Sequence, residues 1–135
     1  MNAAVIGLGS NIDPEKNIEA ARQLVKARFQ ILKESHFLKT PPMGNPNQRE
    51  FINGAMLVQT DLARPEVKAI LKGFEKQLGR TSAMVCNNPR TIDFDIHVWN
   101  GEVVDPFFYK WGFIRTIVLE LLPDLKYNSN KVSQA

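Results

Sequence analysis

Apolar residues in this chain change their spacing in a fixed order, and that order leaves few folds open. Ala3 to Leu8 is a short apolar run closed by Gly9-Ser10-Asn11, the pattern of a buried strand entering a tight turn. Asp13-Pro14-Glu15 sets a helix start, with Asp as N-cap and Pro in the first turn; Ile18, Ala21, Val25 and Phe29 then recur at helical spacing, which predicts a helix over about 14–28. Ile31 to Lys39 and Phe51 to Gln59 have strand character. Between them, Thr40-Pro41-Pro42-Met43-Gly44-Asn45-Pro46-Asn47-Gln48 is too rich in Pro for either regular element and predicts a shaped surface loop. Pro65-Glu66 opens a second helix whose apolar stripe is Val67, Ile70, Leu71, Phe74 and Leu78, with Gly79 placed to end it. Thr91 to Trp99 reads as a further strand, Asn100-Gly101 as a hairpin turn into Glu102-Val103-Val104, and Ile114 to Leu121 as a last amphipathic helix stopped by Pro123. The β-α-β-β-α-β order, with a short extra strand and a C-terminal helix, fits an α+β ferredoxin-like sandwich: an antiparallel sheet covered by helices on one face, with loops free on the other. One domain over 1–126 and a flexible tail over 127–135 are expected.

Composition sets outer limits. With 135 residues, 44% hydrophobic and 23% charged, the chain is long enough for one packed core and is neither disordered nor fibrous. A net charge of +3, spread along the sequence, does not mark a nucleic-acid surface but suits an anionic small ligand. The lone Cys86 excludes an internal disulfide, no Cys/His cluster is spaced for zinc, and His36 and His97 read as strand residues. No apolar run approaches a membrane span and the first residues lack a signal-peptide pattern, so a soluble cytoplasmic protein is expected.

The chemistry concentrates in Asn88-Pro89-Arg90-Thr91-Ile92-Asp93-Phe94-Asp95-Ile96. On a strand, Asp93 and Asp95 point the same way, roughly 6–7 Å apart along the chain. Two carboxylates side by side on a half-buried surface are costly, and a hard cation such as Mg²⁺ relieves that cost. A D-x-D alone is a weak motif and more often describes two solvated residues of an edge strand. The stiff turn Asn88-Pro89-Arg90-Thr91 adds weight, because it delivers an arginine to the mouth of the same strand; metal and arginine together point to phosphate chemistry.

Five blocks in order resemble the 6-hydroxymethyl-7,8-dihydropterin pyrophosphokinase family of the folate pathway, over about residues 5–125. They are Gly7-Leu8-Gly9-Ser10-Asn11, Lys39-Thr40-Pro41-Pro42-Met43-Gly44, Phe51-Ile52-Asn53-Gly54-Ala55, Glu75 with Leu78-Gly79-Arg80, and the run from Asn88 to Ile96. That family's fold agrees with the element order above. The resemblance implies transfer of the β,γ-pyrophosphoryl unit of ATP to the hydroxymethyl group of a reduced pterin, with release of AMP. Asp93 and Asp95 match the family's aspartate pair, which implies two Mg²⁺ ions with ATP as co-substrate; Arg80 and Arg90 join them as catalytic residues. Asn53 matches the residue that reads the pterin edge, Thr40, Pro41 and Met43 would line that pocket, and Phe113 matches an aromatic that stacks on the pterin. Glu75, Arg80, Arg90 and Ile96 fall on the nucleotide side. Without the resemblance, Asn53 reads as a turn residue at a strand start and Phe113 as a core aromatic. The implied partners are the reduced pterin and ATP, with no nucleic acid and no membrane; a monomer is expected, a dimer left open.

The departures from the family are specific. Thr81-Ser82-Ala83-Met84-Val85-Cys86-Asn87-Asn88 carries no positive charge where the family has basic residues and a tryptophan. Val104-Asp105-Pro106-Phe107-Phe108-Tyr109-Lys110-Trp111 is shorter than its counterpart, lacks the family's histidine, and puts Trp111 where an arginine falls. A charge-assisted phosphate bond is worth about 1.5–3 kcal/mol, so several losses weaken the grip on ATP unless Lys110, Arg115 or another residue takes over. Two alternatives therefore stand beside a working enzyme. One is a paralogue that binds a pterin-like or other heterocycle without ATP turnover; the other acts on a different phosphorylated substrate. The Phe107-Phe108-Tyr109-Trp111 cluster reshapes the pocket or serves as a partner surface.

Overall fold

The computed structural model describes residues 1–41, 49–79 and 92–133. Met43, Arg80 and Arg90 lie outside them, as do Cys86, the uncharged stretch 81–88 and most of the proline-rich connector.

Strand β1 (Asn2–Ser10) pairs antiparallel with β4 (Phe51–Thr60) on one side and with β5 (Asp93–Trp99) on the other. Strands β2 (Gln30–Glu34) and β3 (Leu38–Thr40) both pair with β4, and β6 (Glu102–Val103) closes the far side against β5. The order β2-β4-β1-β5-β6 is that of the ferredoxin-like sheet expected from the sequence. The single strand expected from Ile31 to Lys39 is broken at Ser35–Phe37. There the Ser35 hydroxyl accepts from Ala55 N–H at 2.8 Å in place of a ladder carbonyl, and donates to His36 O. Beyond the break, the Phe37 ring covers Gly54, where a Cβ would stand 2.4 Å from it. At the other hairpin, Asn100 and Gly101 both have positive φ, 50° and 79°, the backbone that the Asn-Gly pair favours.

Helix α1 (Pro14–Arg28) begins at its proline, and α2 (Arg64–Gln77) carries Pro65 in its first turn, as expected. Asp13 does not cap α1 through its side chain: it sits in the left-handed region at φ 40°, and its carbonyl accepts from Asn17 N–H. These helices cover one sheet face. Ala4, Ile6 and Leu8 from β1 meet Ile18, Ala21 and Val25 of α1, Val67 and Leu71 of α2, and Met56, Val58 and Phe94 of the flanking strands. At about 25 cal/mol per Å² of apolar surface, this is the main source of stability.

The other face is not left to loops. The short α3 (Phe107–Lys110) and α4 (Gly112–Leu121) pack there, and Phe108, Ile114, Ile117, Val118 and Leu121 bury against Val5, Ala55 and Val98. Alternation along β1 makes this possible, because Val5 points away from Ile6. Residues 127–133, expected to fray, are tied to the same face: Tyr127 meets Phe108 edge-on at 5.0 Å, and Ser133 N–H donates to Tyr109 O at 2.9 Å.

Candidate active site

The face that carries α4 also carries the polar residues, and two glycines of β1 make room for them. Register places Gly9 between Asn53 of β4 and Asp93 of β5, and Gly7 between Ala55 and Asp95. Residues opposite one another in a sheet share a face, so the amide and both carboxylates stand on one surface. A Cβ at Gly9 would lie 2.3 Å from Asn53 Oδ1, and one at Gly7 only 2.1 Å from His97 Nε2. Glycine is required at both positions for space: the amide and the imidazole lie across β1 where side chains would otherwise stand.

Asn53 is oriented by its neighbour, since its Nδ2 donates to Thr40 Oγ1 at 2.6 Å. Thr40 is buried, whereas Pro41 next to it is exposed. Thr40 and Asn53, chosen from sequence for one pocket, are thus in direct contact. Phe113 packs on the same cluster as Leu38, which pairs with Asn53. One face of its ring lies parallel to Trp111, with centroids 5.9 Å apart.

The carboxylate pair is electrostatically tense. Asp95 keeps surface open to solvent, yet the atoms packed around its carboxyl, and then the charge of Asp93, push its pKa up to about 7; Asp105 and Glu75 add to this and His97 opposes it. A carboxyl that far above its ordinary range, beside a second one on the same strand face, is the negative pocket a divalent cation would fill. Among the described residues no group of three or more His, Cys, Asp or Glu side chains forms a complete metal cage. That donor set suits Mg²⁺, which takes one or two carboxylates and completes its shell with water and substrate phosphate.

Glu75 and Ile96 lie toward the other side of β5. Ile96 packs on the α1/α2 core, and buried Glu75 accepts the Phe94 N–H at 2.9 Å, reaching the strand from α2. Of the cations that could replace the family's missing ones, Arg115 is engaged: its Nη1 donates to the carbonyls of Phe108 and Tyr109 at 2.8 and 2.9 Å. Lys110 lies over the Phe107 and Trp111 rings, 5.9 and 5.7 Å from their centroids.

His97, read from sequence as an ordinary strand residue, belongs to this site. Its Nδ1 is 2.7 Å from Asp105 Oδ2, and both residues are buried. The register between β1 and β5 shifts here, Ile6 facing Ile96 and Val5 facing Val98, so His97 is the extra residue of a bulge. The sequence did carry a signal, for Asp93, Asp95 and His97 share one parity.

A model of the 7,8-dihydro-6-hydroxymethylpterin-pyrophosphokinase family matches residues 5–125, nearly the whole of the described sheet and its helices. This chain belongs to that family. Among its relatives is a 2-amino-4-hydroxy-6-hydroxymethyldihydropteridine pyrophosphokinase of Campylobacter jejuni, 35% identical over 103 residues, 74% of this chain and 65% of the relative. The protein of the same name in Bacillus subtilis is 36% identical over 107 residues, 77% and 64%. That in Aquifex aeolicus is 30% identical over 134 residues, 93% and 83%. The chain therefore spans just under two thirds of the first two relatives and most of the third.

Proposed function

We propose that this protein is a 2-amino-4-hydroxy-6-hydroxymethyl-7,8-dihydropteridine pyrophosphokinase, transferring pyrophosphate from ATP to the hydroxymethyl group of the reduced pterin in folate biosynthesis. The observation that carries the reading is the row Asn53–Gly9–Asp93, which sets a hydrogen-bonding amide beside the acidic pair on one open surface. Membership of the family and the names of its relatives agree with it.

In this reading Asn53, held by Thr40, presents its amide to the polar edge of the heterocycle, while Phe113, near-parallel to Trp111, supplies the stacking ring. Thr40 and Pro41, with Met43 of the connector, are assigned to the pterin pocket. Asp93 and Asp95 would hold Mg²⁺, two ions with ATP bound, which would supply charge neutralisation of the triphosphate and a lowered pKa for the attacking hydroxyl. Arg80 and Arg90 are assigned to the nucleotide, adding positive charge where negative charge builds up on the transferred group, and Glu75, bonded to Phe94 N–H, and Ile96, packed on the core, would support that side from behind β5. The substrates are small molecules, and the cytoplasm, where ATP and reduced pterins occur, is the expected setting. Among the described residues no helix is long and apolar enough to cross a membrane.

A second reading, heterocycle binding without ATP turnover, is favoured by the engagement of Arg115 with backbone carbonyls. One assay separates the two: incubation with Mg²⁺, ATP and hydroxymethyl-dihydropterin, with AMP measured against an Asp95→Ala control. AMP well above the control is expected. None above it would overturn the enzymatic reading, and pterin binding by calorimetry without nucleotide would then support the second.

A further inference from the structure

Asp105 lies outside every block that resembles the family, yet its carboxylate joins two elements. Oδ2 lies 2.7 Å from His97 Nδ1, and Oδ1 accepts the Phe107 N–H at 3.0 Å. His97 is on the strand of the acidic pair, its ring seated over Gly7, whose register partner is Asp95. Phe107 begins a stack of aromatic rings. Its plane is within 10° of Trp111 at 4.3 Å, and Trp111 is within 16° of Phe113 at 5.9 Å. Arg115 of α4 braces the same turn through the carbonyls of Phe108 and Tyr109. An unbroken series of contacts thus runs from β5 through His97, Asp105 and Phe107 to Phe113. The His97–Asp105 bond is buried, where a hydrogen bond meets little competition from water, and the Asp105–Phe107 bond is partly so.

We infer that the His97–Asp105 pair is a positioning element, which sets the aromatic stack, and with it Phe113, against the strand bearing Asp93 and Asp95. This rests on the reading of Phe113 as the ring that receives the heterocycle. Trp111 lies within 16° of the Phe113 plane at 5.9 Å between centroids, so any slide of the stack moves Phe113, and with it the ligand's reacting group, relative to the carboxylates. Reaction geometry is sensitive on that scale, a misplacement of about 1 Å being able to cost about 100-fold in rate. The pair touches neither substrate in this scheme; it acts through Phe107 and Trp111.

The test uses Asp105→Asn, which keeps an acceptor for Phe107 N–H but turns an amide toward His97, and Asp105→Ala, which removes both bonds. A Trp99→Phe background leaves Trp111 as the sole indole, because the chain has 2 tryptophans. Near-ultraviolet circular dichroism then reports the stack, and calorimetry measures binding of hydroxymethyl-dihydropterin and, separately, of Mg²⁺ with a non-hydrolysable ATP analogue. The Trp111 signal should change in both variants and the pterin Kd rise about tenfold in Asp105→Ala, less in Asp105→Asn, with nucleotide affinity held within about twofold. A purely structural role would lower the melting temperature and leave the Trp111 signal and pterin Kd of the folded protein unchanged; that result, or equal loss of both ligands, overturns the inference. Should Asp105→Ala not fold, Asp105→Asn decides. Failure of the unmutated protein to bind the pterin would count against the proposed function, and the Trp111 signal would still decide whether the pair sets the stack.

Discussion

The two faces of β1 are built on opposite rules. Toward α1 and α2 it turns Ala4, Ile6 and Leu8, which are filled in around by helix side chains until no polar group is needed. Toward α4 it turns Val5, Gly7 and Gly9, of which only Val5 fills space; over the glycines lie an imidazole and an amide from the strands on either side. One face gains stability by adding side chains, and the other gains a site by omitting them. The cost is visible in Asp95, whose carboxyl is pushed up to about 7 by its crowded, negative surroundings, and the dry face supplies the stability that tolerates it.

The sharpest test of this division is Asp95→Ala. Loss of half the acidic pair should lower pyrophosphoryl transfer by about 10³-fold or more, several kcal/mol of barrier, with the melting temperature unchanged or raised. A parallel fall in stability would show that the site face also bears the fold. Next is Gly7→Ala, whose new methyl would displace the His97 ring. An activity loss of about 100-fold with about 1–3 kcal/mol of destabilisation is expected from kinetics and urea unfolding. The contrast is Gly73→Ala on exposed α2, where a Cβ meets nothing within 4 Å; it should raise stability by about 0.5–1 kcal/mol and leave kinetics alone.

On the dry face, Ile6→Ala should cost about 2–4 kcal/mol in unfolding free energy, while kcat/KM of the folded fraction stays within about twofold. Asn53→Ala should do the reverse, raising the pterin KM about tenfold with a stability change near 1 kcal/mol from the lost Thr40 bond.

A further small effect is a pH dependence. The native Asp95 carboxyl titrates near 7 against an ordinary value of 3.8, so between those values the folded protein holds a proton that the unfolded chain has released. Stability owed to this group is therefore greatest below about pH 4, declines as pH rises toward 7, and is level above. Asp95→Asn removes the decline. Its melting temperature should gain on the unmutated protein from acid to neutral pH, by only a few degrees because solvent reaches the group, about 1 kcal/mol in all. Mg²⁺ with an ATP analogue should narrow the gap by stabilising the unmutated protein.

Much of this was legible beforehand. Helix α1 follows from its proline and the spacing of Ile18, Ala21 and Val25, and the Asn-Gly hairpin from the residues that tolerate positive φ. Local rules suffice there because the determinants lie within a few residues of one another. The Ser35 break is not encoded locally, because it depends on Ala55 N–H, 20 residues away. The docked tail depends likewise on Phe108 and Tyr109, and Ile31 to Lys39 therefore read as one strand.

The candidate site divides the same way. Asp93 and Asp95 were visible because period two puts them on one strand face, and Thr40 and Asn53 through the blocks that resemble the family. The pairing of His97 is not legible locally, because its partner Asp105 lies beyond a hairpin and a lone histidine on an apolar strand carries no sign of one. By itself the sequence determined the elements, the family and the parity of the acidic pair, since spacing along the chain controls which residues share a strand face. Only the tertiary structure decided that Gly7 and Gly9 make room for His97 and Asn53, that Arg115 is spent on backbone carbonyls, and that Asp105 ties the strand of the acidic pair to the aromatic stack. Those contacts depend on register between strands and on the packing of α3 and α4, which no spacing within one segment encodes.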